Sequence, residues 1–344
     1  MLRIEPQPLA SDDDLRAALQ NAIRLEHSTI PPYLTALATL KGNTDSVRYA
    51  RKVIREIVLN EMLHMTLACN ILNAIGGHPV IADANFVPKY PHELPMGIGG
   101  DLVVHLRRYS KALVEDTFMK IEEPEIIHEI PTMPTVLEAV AEPITIGQFY
   151  TGISARIAGH PELFTGDPEL QVRNQFQGEV VVTDVKSALL AIETIKEQGE
   201  GTPKSPLDLQ DDVAHYYAFK QFSKGMRIVK NAASPVKVSF DPTQPITIDD
   251  TADVIQMVDD PPTVTYDPAD SHAEQLAVKA DASYSNILRL LERGFNGDPS
   301  KSVNEAVDAM TAEFNSIVRD LLQQQLTAGP LAGQFAGPRF RYVV

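Results

Sequence analysis

The stretch NEMLHMTLACNILNAIGG, residues 60–77, decides how this chain folds. Its apolar positions extend a stripe of Ile54, Ile57, Val58, Met65, Ala68, Leu72 and Ile75 at helical spacing, and Gly76 and Gly77 stop it. The spacing predicts a helix over about 46–75, near 45 Å long. Inside the stripe, in phase with Val58, Met65 and Ala68, stand Glu61 and His64. A separation of three places both side chains on one face about a turn apart. An ionised carboxylate on a buried face is normally paired or bound to a metal, because leaving water without a counter-charge is so costly.

Upstream, Leu15, Ala18, Leu19, Ala22, Ile23 and Ile30 mark another helix over about 12–30, led by the capping sequence Ser11, Asp12, Asp13, Asp14. Pro31 and Pro32 are expected to end or kink it. Glu26 falls on the buried face. Downstream, helical patterns occupy about 146–158, 182–198 and 211–223. Glu197 closes the second of these, with Glu193 and Glu200 as alternatives, and Asp212, His215, Phe219 and Phe222 follow one another on the third. One recurring bundle plan for a pair of iron ions takes a Glu from each of two helices and a Glu-x-x-His from each of two others. Glu26, Glu61 with His64, Glu197, and Asp212 with His215 fill that inventory, an Asp replacing one Glu. Such a mixed carboxylate and imidazole set suits iron, mono- or dinuclear, with manganese or copper as alternatives. Ordinary roles compete for each residue. Glu26 can pair with Arg24, Glu61 with His64, and Asp212 can serve as a first-turn carboxylate favoured by the helix dipole. Glu125 and His128 repeat the spacing between Pro124 and Pro131, in a segment too short for a bundle helix.

The whole chain has 344 residues and a formal charge of −16, which disfavours nucleic acid and anionic lipid as partners. Its one cysteine, Cys69, excludes an internal disulfide and suits a reducing cytoplasm. Neither a signal sequence nor an apolar run of spanning length is evident, so no membrane association is expected. Residues 78–145 carry many prolines and read as a long insertion with a short helix near 110–120. A Pro/Asp-rich stretch follows at 225–270, whose alternating pieces VKVSF and TVTY read as short strands or extended straps, and two further helices follow at about 272–326. The expected architecture is one mainly α domain: a helical bundle core at about 10–76 and 146–223, a long irregular insertion and two extra C-terminal helices.

LEHSTIPPYLTAL (25–37), NEMLHMTLACNILNAIGGHP (60–79), EQGEGTP (197–203) and AHYYAFKQF (214–222), in that order, resemble the bacterial ferritin-like proteins related to iminophenyl-pyruvate dimer synthase. The resemblance implies a ferritin-like bundle and points to Glu26, Glu61, His64, Glu197 and His215 as metal or active-site positions. The chain lacks the long extra region of the pigment synthases, so haem is not expected, and Asn60 stands where the family often has a second Glu. The function expected from residues and resemblance together is a metal-dependent oxidoreductase acting with dioxygen on a small, amino-acid-derived or aromatic substrate. Phe219, Phe222, Met62, Met65 and Tyr150 are the expected wall, and Tyr150 is the candidate proton or electron relay. A ferroxidase or storage protein, or an accessory protein on a degenerate bundle, are the alternatives. A homodimer is compatible with this reading.

Overall fold

The computed structural model describes residues 9–130 and 145–344. Helix α1 (Asp12–Thr39) opens on a capping box in which Ser11 and Asp14 satisfy each other's backbone N–H groups. A short link, 40–44, reverses the chain into α2 (Asp45–Ala74), capped by Thr44, and the two long helices pack along each other. The expectation that α1 ends at the prolines is corrected, since the helix runs through Pro31 and Pro32 to Thr39. Proline at 32 withholds the N–H that would reach the Ser28 carbonyl, and the Tyr90 hydroxyl donates to that oxygen instead, at 2.7 Å. Thr35 Oγ1 donates to the Pro31 carbonyl, also at 2.7 Å. Leu25 through Pro32 are buried, so tertiary packing holds the segment helical.

Beyond α2 the chain forms a two-residue ladder of β1 (His92–Glu93) with β2 (Val103–Val104). A short helical segment follows: α3 (Lys111–Leu113), a π-turn (Val114–Phe118) and α4 (Met119–Ile121). Glu125 and His128 lie on irregular chain, where the His128 amide donates to the Tyr217 hydroxyl. Residues 131–144 of the expected insertion fall outside the described residues.

Helices α5 (Ile146–Ile157), α6 (Val185–Glu200) and α7 (His215–Lys224) complete the bundle, with α5 against α1 and α6, and α6 against α2 and α7. The sequence pattern starts the last of these at about 211, but α7 begins only at His215. The preceding residues are held in a turn around Asp208, whose Oδ1 accepts the amides of Gln210 and Asp212 at 2.9 Å each. Strands β3 (Met226–Lys230) and β4 (Val238–Pro245) pair antiparallel, so VKVSF supplies a strand. TVTY takes the other form expected for it, an unpaired strap that leaves the 3-10 turn Pro261–Thr263 with Val264 extended. Then come α8 (Ser271–Asn296), α9 (Pro299–Asp308), a π-turn (Ala309–Phe314) and α10 (Asn315–Leu321). One apolar cluster runs from Leu15 of α1 through α2, α5 and α6 to Phe295, Phe314 and Phe340. No helix among the described residues is long and apolar enough to cross a membrane.

Candidate metal centre

Five side chains converge between the bundle helices: Glu26 from α1, Glu61 and His64 from α2, His215 at the start of α7, and Glu122 at the end of α4. All five are at most 6% exposed. Glu26, Glu61 and His64 form one group and Glu61, Glu122 and His215 a second, in each of which one ligand atom per residue lies within 4.8 Å of the others. Glu61 belongs to both.

Each carboxylate has one oxygen held from outside and one turned inward. Tyr150 donates to Glu26 Oε1 at 2.6 Å, and Tyr33 to Glu122 Oε1 at 2.5 Å. Thr29 Oγ1 lies 2.7 Å from Glu61 Oε2 and 2.7 Å from the Glu26 carbonyl, so its single proton serves one of them at a time. The remaining oxygens face imidazole. Glu26 Oε2 lies 3.5 Å and Glu61 Oε1 3.7 Å from His64 Nδ1. Glu61 Oε1 lies 3.0 Å and Glu122 Oε2 3.5 Å from His215 Nδ1.

Each imidazole also has a side-chain amide behind it. His64 Nε2 is 2.9 Å from Gln198 Oε1, an oxygen that can only accept, so Nε2 carries a proton and Nδ1 is the nitrogen that would turn a lone pair to a bound metal. His215 Nε2 lies 3.2 Å from the Asn60 amide nitrogen, which can only donate, so the proton of a neutral His215 sits on Nδ1 toward the carboxylates, where a bound metal would displace it. His215 Nδ1 is buried without a well-directed hydrogen bond, despite its two carboxylate neighbours. The rings stack with centroids 5.5 Å apart.

The protonation pattern is that of a site short of positive charge. Burial pulls the His215 imidazole down, yet the facing Glu122 and Glu61 carboxylates outweigh it and raise the group to about 10. His64 is raised in the same way against burial by Glu26 and Glu61. Glu61 is pushed up by burial first and then by the Glu122 charge. Among the described residues no Arg or Lys lies within 4.0 Å of these three carboxylates, so pairing of Glu26 with Arg24 does not occur. An unsatisfied His215 nitrogen, three carboxylates without a fixed cation and a mixed N/O donor set fit divalent metal.

The structure therefore brings together Glu26, Glu61, His64 and His215 and places Tyr150 against Glu26. It does not bring in Glu197 or Asp212. Glu197 is half-buried beside Glu193 and Asp208, because the phase of α6 turns the next residue, Gln198, inward. Asp212 is exposed ahead of α7, so the three-residue spacing to His215 is not a helical turn. Glu122 is the residue that sequence reasoning missed. It sits in the proline-bracketed insertion, but Val114, Phe118, Ile121 and Glu122 recur at helical spacing, a signal that could have found it. Of the expected wall, Phe219 packs on Tyr33, whereas Met62 and Met65 line a separate cavity on another face of α2.

A helical bundle whose core carries carboxylates and imidazoles from several helices defines a class of candidate metalloproteins. The ferritin-like family pattern matches residues 19–224, more than half of the chain, and the chain belongs to that family. It is 25% identical to dichlorochromopyrrolate synthase of Lentzea aerocolonigenes over 390 aligned positions, covering 97% of this chain and 36% of that protein. The chain thus spans about a third of the relative's length. A solved structure of a ferritin-like protein from Caulobacter vibrioides superposes with a TM-score of 0.64 at 21% identity, covering 95% of this chain and 99% of that one, a likeness of fold.

Proposed function

We propose that this chain is a metal-dependent oxidoreductase in which Glu26, Glu61, Glu122, His64 and His215 hold two metal ions, iron foremost, with Glu61 shared between them. The substrate is a small organic molecule, amino-acid-derived or aromatic, and dioxygen is the oxidant. The observation that carries this reading is the division of labour at Glu26 and Glu122, one oxygen fixed by a tyrosine hydroxyl and the other left facing an imidazole, with Glu61 Oε1 between the two imidazoles. Similarity to a protein named as a synthase supports chemistry on a small organic substrate over iron storage.

Iron in this site would supply one-electron chemistry and open positions for dioxygen. The chain's own residues prepare the surroundings. Burial and the neighbouring carboxylates raise the Tyr33 and Tyr150 hydroxyls well above their usual range, so both keep their protons and hold Glu122 and Glu26 in place. Tyr33, Phe118 and Phe219 form a ring cluster with centroids 4.7–5.2 Å apart that excludes water. A cleft of about 20 Å³ lined by Ile121, Ile146, Ile195, Lys196 and Gly199 reaches Glu26, Glu61, His64 and Glu122. A cleft of that size takes water or dioxygen rather than an aromatic molecule, and Lys196 at its rim is already held by Thr151 at 2.7 Å and Glu125 at 3.7 Å.

Metal content after anaerobic loading with ferrous iron tests the assignment. The parent should hold about two ions per chain, Glu61→Ala should lose both, and Glu26→Ala and Glu122→Ala should each keep about one. Glu197→Ala and Asp212→Ala should match the parent. Undiminished occupancy in Glu61→Ala and His64→Ala would overturn the proposal.

A further inference from the structure

On the outer face of α1 and α2, away from the metal cluster, α8, α9, the second π-turn and α10 close over two adjoining cavities. The inner one, about 70 Å³, is almost wholly apolar and ends at the pair formed by Tyr284 and His27, whose Oη and Nε2 are 2.6 Å apart. The outer one, about 800 Å³, opens to solvent. Leu34, Met62 and Met310 line both and form the partition between them. Two of these three are unbranched thioethers that change rotamer readily, so the partition can yield. Met310 stands on the π-turn Ala309–Phe314, which also gives Phe314 to the inner cavity and Thr311 to the outer.

The charge of the outer cavity is opposite to that of the protein. Arg51, Arg55 and Arg319 line it and no acidic side chain does, in a chain of net charge −16. Arg51 is anchored by donating to the carbonyls of Leu40 at 2.6 Å and Gly42 at 2.9 Å. Arg55 and Arg319 are exposed and, among the described residues, have no ion-pair partner. Uncompensated guanidinium groups above an apolar slot match a carboxylate that carries a narrow apolar body. A helix or strand of another protein would not enter the inner cavity.

We propose that this groove binds one amphipathic carboxylate, its head between Arg55 and Arg319 and its chain passing Met310 toward Tyr284. The site is separate from the metal cluster, and its test does not depend on metal.

Titration calorimetry of the full chain with octanoate, decanoate and dodecanoate reads it directly. Binding of one molecule per chain is expected, tightening by up to about fourfold for each methylene that enters the slot. The double variant Arg55→Ala, Arg319→Ala should bind about fivefold more weakly or worse, with the difference shrinking as salt is added. Met310→Trp should abolish the preference for the longer chains while leaving octanoate bound. Metal content of these variants should equal the parent's, so failure here is distinguishable from failure of the metal assignment. Absence of binding, equal competition by dodecyltrimethylammonium, or unchanged affinity in the arginine variant at low salt would overturn the proposal. So would a concentration-dependent dimer that the arginine variant dissociates, which would make a second copy the occupant.

Discussion

Glu197 and Glu122 both lie near other acids, Glu197 half-buried and Glu122 buried, yet only Glu122 meets imidazole and tyrosine hydroxyl. Glu197 is raised to about 7, by burial first and then by Glu193 and Asp208, and its Oε2 is buried without a partner. A carboxyl raised in the fold binds its proton more tightly there than in the unfolded chain, so the fold loses stability as pH climbs from about 4.5 to about 7. Glu197→Gln should therefore leave stability unchanged near pH 4 and raise it at pH 8, by up to about 1 kcal/mol after solvent screening. Urea unfolding at the two pH values checks the sign, and a variant less stable at pH 8 would contradict it. One residue along the helix, Gln198 has the opposite fate and orients His64. A step of about 100° per residue separates the two roles, and the sequence stripe alone is too coarse to resolve it.

At the scale of elements, α1 shows that a strong local rule can yield to its surroundings. Two consecutive prolines predict an end at residue 30, and the helix continues because a distant hydroxyl, Tyr90, takes the carbonyl that Pro32 leaves free. Tyr90→Phe keeps the ring and strands that buried oxygen, at an expected cost of about 1–3 kcal/mol in chemical unfolding. A change below a few tenths would mean that the helix passes the prolines on packing alone. The start of α7 teaches the converse. The apolar stripe from His215 onward is read correctly, but the turn around Asp208 sets the boundary and takes Asp212 off the helix.

At the scale of the molecule, the chain end returns to the body that α8 builds. Phe335 bridges to Met257 and to Gln325, and the buried Arg339 donates to Asp281 at 3.0 Å and Glu274 at 2.9 Å, both on α8. Arg339 and Asp281 are each about 5% exposed or less, so breaking the pair leaves a charge inside. Arg339→Met should cost about 3–5 kcal/mol in equilibrium unfolding, while metal bound per folded chain stays at the parent level. Loss of metal in the folded fraction would show that the C-terminal helices support the bundle site as well as cover its outer face.

The sequence by itself determined the long helices, because periodic burial is a local pattern, and it marked Glu26, Glu61, His64 and His215 as polar residues where apolar ones belong. Tertiary structure alone decided that Glu122 completes the cluster and that Glu197 and Asp212 stand aside. Convergence depends on helix phase and on where irregular segments cross the bundle, and neither is written in any short stretch of residues.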